Sequence, residues 1–219
     1  MDVRERWKSD RVQAAIYDFA VNDPTISRLG ARLLWGYDIR HLWRSIGALE
    51  DNTTLDIPCG GGIAIRGNPR HVAADLSRTM LHRTRRKRAP LVPLVPLVQA
   101  DINNLPFLSS TFDTCVTYNG LHCLPDPRRA VHELARVLRP GGTLRGTTLV
   151  RGAGRRYDAL IALMRRRTFF GPTGTPSELH QWLTTAGLTD IRLTTSGAVT
   201  GFTARKPTDI EDAPPPSIR

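Results

Sequence analysis

The stretch TLDIPCGGGIAIRGN, Thr54 to Asn68, sets an apolar run ending in an acid against three consecutive glycines. A glycine loop after a strand lets backbone amides approach a ligand closely, and several protein families use one. The surroundings narrow the choice. A phosphate-binding loop ends in Gly-Lys-Ser/Thr, yet lysine occurs only at Lys8, Lys87 and Lys206, far from Gly60 to Gly62. The dinucleotide fingerprint wants glycine at its sixth position, where this chain has Ile65. Both phosphate readings weaken.

From Thr53 onward short apolar runs alternate with helical patterns. The runs are TTLDI, HVAAD, PLVQAD, FDTCVTY, GTLRGTTLV, then LTDIRLTT with GAVTGFTARK. Between them the apolar spacing predicts a very short helix after Gly62, and helices over Ser77 to Arg88, Asp126 to Leu138 and Ser177 to Ala186. Strand, helix, strand in succession implies crossover units and a parallel sheet, here closed by an antiparallel hairpin. The expected architecture is a doubly wound α/β domain. Pro90, Pro93 and Pro96 remove ladder donors, so the third strand belongs at a sheet edge or is confined to Leu97 to Ala100.

Residues 1–50 contain no convincing strand, and their helical spacing predicts an N-terminal cap of two or more helices, the second starting near Asn22-Asp23-Pro24. Residues 151–175 are too long for a plain connection and are expected to carry a helix around Tyr157 to Arg166 over the strand ends. Residues 207–219 read as a disordered tail. At 219 residues the chain can bury a core without staples. Its charge of +11 favours anionic partners without naming one. Cys59, Cys115 and Cys123 are odd in number with no CxxC pair, against both a disulfide framework and a zinc site. A charged N-terminus and the lack of a long apolar stretch lead to the expectation of a cytoplasmic protein without a membrane span. A homodimer is allowed, and no residue pattern demands one.

Three carboxylates end successive strands: Asp56, Asp75 in HVAADLS, and Asp101 in VQADINNLPF. In an open α/β sheet, ligands sit outside the carboxyl ends of the strands, so all three can face one crevice. An acid ending the second strand suits a ribose diol, while acids flanking the loop would repel a pyrophosphate and suit an amine and a positive centre. On LDIPCGGG, AADLS, ADINNLPF, FDTCVTYNGLHCLPD and ELARVLRPGG, from about Thr53 to Leu149, the chain resembles the class I S-adenosylmethionine-dependent methyltransferases. The similarity is strongest to the small-molecule branch that includes quinone-biosynthesis enzymes.

That resemblance implies a Rossmann-like, seven-stranded sheet of order 3-2-1-4-5-7-6 with the last strand antiparallel, spanning residues 51–206 and binding S-adenosylmethionine. It also implies site roles. Asp56 and the backbone at Cys59, Gly60 and Gly62 would hold the methionine moiety; Asp75 would take the ribose hydroxyls and Leu76 would pack on the adenine. Asp101 and Ile102 would address the adenine edge, Asn119 and Gly120 would lie under the sulfonium, and Tyr17 would match a lid position. Two departures stand beside it. Pro58 replaces the family's glycine, and Asp56 to Asp75 is 19 residues, about one helical turn short.

Methyl transfer from a sulfonium is an in-line displacement, so alignment of the reacting groups dominates, and a hydroxyl acceptor also benefits from a base. His122 in NGLHCLPD is the best-placed candidate base, with a pocket wall as the competing reading. Asp38 and His41 sit three apart beside Trp35, so their side chains can meet at a substrate or in a structural cap. Tyr157 joins these as a candidate substrate contact. The arginines of RGAGRR and MRRR, at the expected cap, would attract an anionic or polyhydroxylated small-molecule acceptor; those of RTRRKR read as a solvated face. The reaction expected is methylation of a hydroxyl on a sugar, phenol or polyketide-type alcohol. RNA methylation and a non-catalytic cofactor-binding regulator stand as alternatives, nucleic acid ranking lower because NGLH replaces an Asn/Asp-Pro-Pro-aromatic signature. No metal site is expected.

Overall fold

The computed structural model describes residues 24–208, so the expectations for Tyr17 and for the tail past Thr208 lie outside the described residues. Seven strands form one sheet: β1 (Thr54–Asp56), β2 (His71–Asp75), β3 (Leu97–Gln99), β4 (Phe112–Tyr118), β5 (Leu138–Leu149), β6 (Thr189–Ser196) and β7 (Val199–Arg205). Their order is β3-β2-β1-β4-β5-β7-β6. Strands β1 to β5 pair in parallel, and β7 runs antiparallel to both β5 and β6. Six α-helices accompany the sheet among the described residues: α1 (Pro24–Trp35), α2 (Arg40–Gly47), α3 (Arg78–Lys87), α4 (Pro127–Val137), α5 (Arg155–Arg166) and α6 (Pro176–Thr185).

Local chemistry explains these elements. All three residues of β1 are buried, as a central parallel strand covered on both faces requires. Ser77 caps α3 by accepting from the Met80 amide, while Arg85, Arg86 and Lys87 in the last turn complement the helix dipole. Asp126 and Pro127 start α4, and a Thr175/Glu178 capping box followed by Pro176 starts α6. One sheet face buries Leu55, Cys115, Leu144 and Phe202 against Leu134 of α4 and Leu183 of α6. The other buries Val116, Tyr118, Leu149 and Val199 against Leu42 and Ile46 of α2. Strand β3 lies at the sheet edge, and Pro93 falls in a short 3-10 turn before it, as the proline spacing predicts.

The β1–β2 connection corrects one expectation. In place of a short helix, residues 57–70 form turns, with Gly62 donating to the Cys59 carbonyl and Ile65 to the Gly62 carbonyl. Fourteen residues (57–70) are near the minimum for a parallel crossover, and a chain that must also return to the start of β2 has no length left for a helix.

Close backbone approach at the β4–β5–β7 centre generates a prediction. A Cβ at Gly146 would lie 2.3 Å from the Thr117 carbonyl oxygen and 2.5 Å from Phe202 Cζ. Gly146→Ala is expected to destabilise the protein by ~1–3 kcal/mol through overpacking. Gly47→Ala, where nothing lies within 4 Å, should leave the urea midpoint unchanged or raised.

Candidate cofactor site

At the carboxyl ends of β1, β2 and β4 a cleft opens with about 710 Å³ of empty space, its mouth included. The glycine loop supplies Ile57, Pro58 and Gly60; β2 and its helix supply Asp75, Leu76 and Met80. Past β3 come Asp101 and Ile102, and past β4 come Asn119, Gly120 and Cys123. Seven of the expected cofactor residues, Gly60, Asp75, Leu76, Asp101, Ile102, Asn119 and Gly120, therefore meet around one space.

Asp75 is the pivot of this cleft. Its Oδ2 accepts from the Gly60 amide at 2.9 Å and its Oδ1 from the Ser77 amide at 2.9 Å. A carboxylate has about four acceptor sites, so two remain for a diol. Burial pushes its pKa up to about 6, against the two backbone N–H bonds, which pull it down. Asp101 is held by the Asn103 amide at 3.0 Å, which fixes the turn that brings Ile102 to the wall. Asn119, at φ +54°, donates its amide to the Thr147 carbonyl and accepts from the Thr147 hydroxyl at 3.0 Å. The departure at Pro58 gains a structural reason. A Cβ at Gly120 would lie 2.5 Å from Pro58 Cδ, so the proline ring fits because its neighbour across the strand ends is a glycine.

Other expected residues lie elsewhere. Asp56 does not line the cleft: its carboxylate is buried, Oδ2 standing 3.7 Å from His71 Nε2, and burial pushes its pKa up. The alternation of β1 sends Asp56 to the face that packs α2. Cys59 is buried under the loop, its amide on the Ala74 carbonyl, and burial pushes its thiol well up. Gly62 turns away from the cleft; a Cβ there would lie 2.9 Å from Thr84 Cγ2 of α3.

His122 sits behind the cleft rather than in it. Its ring is 4% exposed, its Nδ1 accepts from the Leu149 amide at 3.3 Å and lies 3.3 Å from the Thr148 hydroxyl, and Phe170 meets it edge-on at 4.8 Å. Burial lowers its pKa to about 3. A ring so placed is neutral at physiological pH and already uses one lone pair, which is the geometry of a wall. Phe170 continues to Trp35 at 6.2 Å, making an aromatic row from the end of β4 to α1.

Asp38 and His41 meet through the backbone, the His41 amide donating to the Asp38 carbonyl at 3.1 Å, and not through a side-chain hydrogen bond. The Asp38 carboxylate binds Arg40 at 2.7 Å and that bond lowers its pKa to about 2; its amide donates to Ser196 on β6. The exposed Arg40 guanidinium, two residues on, outcompetes the histidine. Tyr157, at the start of α5, packs on the same buried cluster as Trp35 and Phe170, with Arg156 stacked on its ring. The expected helix over 157–166 is α5. Of the arginines there, Arg151 is tied to the Thr173 carbonyl and to Glu178, while Arg155, Arg165, Arg166 and Arg167 are exposed, and none of them lines the cleft.

Sequence reasoning missed Met80, Tyr118, Leu124 and Pro125 as lining residues, while Cys123, expected to flank the site as an inert thiol, does line it. Tyr118 ends β4 beside Asn119, so strand-end position was the available signal. Met80 had one too, three residues after its cap. The burial of Cys123 pushes its thiol up, in keeping with an inert wall.

A glycine loop, an acid ending β2 and a polar turn after β4, on a sheet of this order, define a cofactor-binding domain of the class I methyltransferase type. Residues 55–145 match the profile of the family described as "Methyltransferase domain", and the cofactor that this match implies is S-adenosylmethionine. Among curated proteins it is 30% identical over 156 residues to a ubiquinone biosynthesis O-methyltransferase of Alkalilimnicola ehrlichii, covering 65% of this chain and 63% of that one. It is 29% identical over 169 residues to an uncharacterised chloroplastic methyltransferase of Arabidopsis thaliana, covering 72% and 48%. Another Arabidopsis chloroplastic methyltransferase is 37% identical over 107 residues, covering 44% and 30%. The match thus spans less than two thirds of these relatives' length. A Thermotoga maritima structure described as a possible histamine N-methyltransferase shares the fold with a TM-score of 0.65, at 18% identity, over 89% of this chain and 99% of that one. A phosphoethanolamine N-methyltransferase of Haemonchus contortus, solved with S-adenosylhomocysteine, gives 0.73 at 15% identity over 95% and 61%.

The lining fits the cofactor. Leu76, Ala100, Ile102, Leu124 and Pro125 form an apolar slot, and Asp75 offers its remaining acceptor sites at the slot's polar side. If Asp75 takes the ribose hydroxyls as an ionised acceptor, the dissociation constant for S-adenosylhomocysteine should rise about tenfold per pH unit below about 6 and be flat above it. Calorimetric titration from pH 5 to 8 checks this, and a flat profile down to pH 5 would remove Asp75 from that role. Folding carries the opposite sign. Between about pH 4 and 6 the folded chain holds a proton that the unfolded chain has released, so this group's contribution to stability falls as pH rises through that window.

Proposed function

We propose that the protein transfers the methyl group of S-adenosylmethionine to a hydroxyl of a small-molecule acceptor, a phenol being favoured over a sugar or polyketide-type alcohol. The observation that carries this reading is the aromatic row His122, Phe170 and Trp35, running from the end of β4 to α1 immediately behind the turn Asn119-Gly120. A flat aromatic acceptor finds matching faces and edges there. The cofactor supplies an electrophilic methyl on a positively charged sulfur. The chain's own residues bind and orient: Asp75 and the apolar slot set the nucleoside, Asn119 and Gly120 floor the reacting end, and Trp35, Tyr157 and Phe170 wall the acceptor. Orientation of this kind supplies roughly 7–11 kcal/mol of barrier reduction. The relatives named for ubiquinone biosynthesis and demethylmenaquinone methylation support a ring-bearing acceptor.

His122 acts in this scheme as a wall that keeps the acceptor side dry, with its ring orientation locked by the Leu149 amide. Action in the cytoplasm is part of the proposal; among the described residues no helix is long and apolar enough to cross a membrane.

Transfer of labelled methyl groups from S-adenosylmethionine to a panel of phenols, sugars and aliphatic alcohols tests the acceptor class. Turnover of sugars in preference to phenols would reject the aromatic-row reading, and cofactor binding without turnover of any extract component would favour a regulatory protein. His122→Gln is expected to lower kcat by less than about tenfold, whereas loss of a general base lowers it about 100- to 10,000-fold. The kcat profile should show no histidine inflection between pH 5 and 8.

A further inference from the structure

In a loop that opens a helix, the helix orders the loop's amides. Here the residues after Gly60 to Gly62 form turns only, so the loop must be held from outside. Its partners come from β2 and from α3. Cys59 donates to the Ala74 carbonyl at 2.8 Å, Gly60 donates to Asp75, and the Gly60 carbonyl accepts the Thr84 hydroxyl at 2.5 Å.

Thr84 is 0% exposed and sits in the middle of α3. Met80, Thr84 and Arg88 recur every four residues, so they stack on one helical face, and that face lies under the loop. Met80 Cε is 3.6 Å from a Cβ built on Gly60; Thr84 Cγ2 and Arg88 Cγ are 2.9 and 3.3 Å from one built on Gly62. Threonine thus meets two demands at once: its hydroxyl pairs the carbonyl of Gly60, and its methyl fills the space that Gly62 leaves open. Asp75 also grips the loop, but its remaining acceptor sites are needed by the ligand. Thr84 grips it without being shared.

We infer that Thr84 is a positioning residue for S-adenosylmethionine, setting the conformation of Gly60 to Gly62 by its hydrogen bond to the Gly60 carbonyl while touching no ligand itself. It takes over from α3 the ordering that a helix after the loop would provide. Alanine leaves that part-buried carbonyl only the long contact from the Cys59 thiol at 3.9 Å, valine puts a methyl against it, and serine keeps the hydroxyl donor.

The test measures S-adenosylhomocysteine binding by calorimetry for the wild type and for Thr84→Ser, Thr84→Ala and Thr84→Val, together with amide exchange at residues 59–62 and the melting temperature of each ligand-free protein. Serine is expected within about threefold of wild type and alanine about tenfold weaker, with faster exchange confined to the loop. For a chosen acceptor the change should fall on the cofactor KM and leave kcat within about twofold. Equal affinity of the serine and alanine variants would overturn the inference, as would a serine variant as weak as alanine, which would reduce Thr84 to packing. Serine against alanine decides the matter even where valine fails to fold. A wild type that binds no S-adenosylhomocysteine would overturn the cofactor assignment as well, which separates the two failures.

Discussion

The carboxylate of Asp75 accepts one backbone amide from the glycine loop and one from the start of α3, and the cofactor end of the molecule is arranged around those two bonds. They tie the turn after β1 to the end of β2 and to the cap of α3 two residues further on. An ionised carboxyl in that position is expensive to bury, as its raised pKa records, and only paired N–H donors make it tolerable. The arrangement concentrates negative charge at the cleft, which suits a ligand with hydroxyl donors and a cationic centre and disfavours a pyrophosphate.

The sheet divides its labour between faces. The face toward α4 and α6 buries the larger of the apolar clusters. The face toward α1 and α2 mixes apolar contacts with Tyr118 bonded to Ser45, and with the buried Asp56 and His71. Trp35 and Phe170 pack on that second cluster, so the proposed acceptor would lie on the side of the sheet that buries Asp56 and His71. His122 shows how burial bears on a residue's chemistry: withdrawn from water and accepting from a backbone amide, it has its pKa pushed down to about 3, which favours the proposed wall over a base.

Much of the fold was legible because hydrophobic period and cap chemistry agree along the chain. Ser77 and Asp126 marked helix starts, Ser177 fell one residue inside the third, and the prolines before Leu97 marked the sheet edge. Among the site residues, those at strand ends were found, because strand direction alone brings Asp75, Asp101 and Asn119 to one edge. Asp56 also ends a strand, yet its side chain faces α2, since a period of two assigns each neighbour to opposite faces and the short β1 gave no pattern from which to tell them apart. The side-chain pairing of Asp38 with His41 failed for a different reason: an exposed arginine two residues away reaches the carboxylate with a fork of donors.

By itself the sequence determined the class of fold, the order of its elements and many of the residues that line the cleft, because periodicity, caps and glycine spacing act over a few residues. Only the tertiary structure decided how the glycine loop is held. Its grip comes from Thr84, 24 residues from Gly60, and room for Pro58 comes from the missing side chain of Gly120. Both contacts are made across the ends of neighbouring elements, where van der Waals distances and not sequence neighbours set what fits.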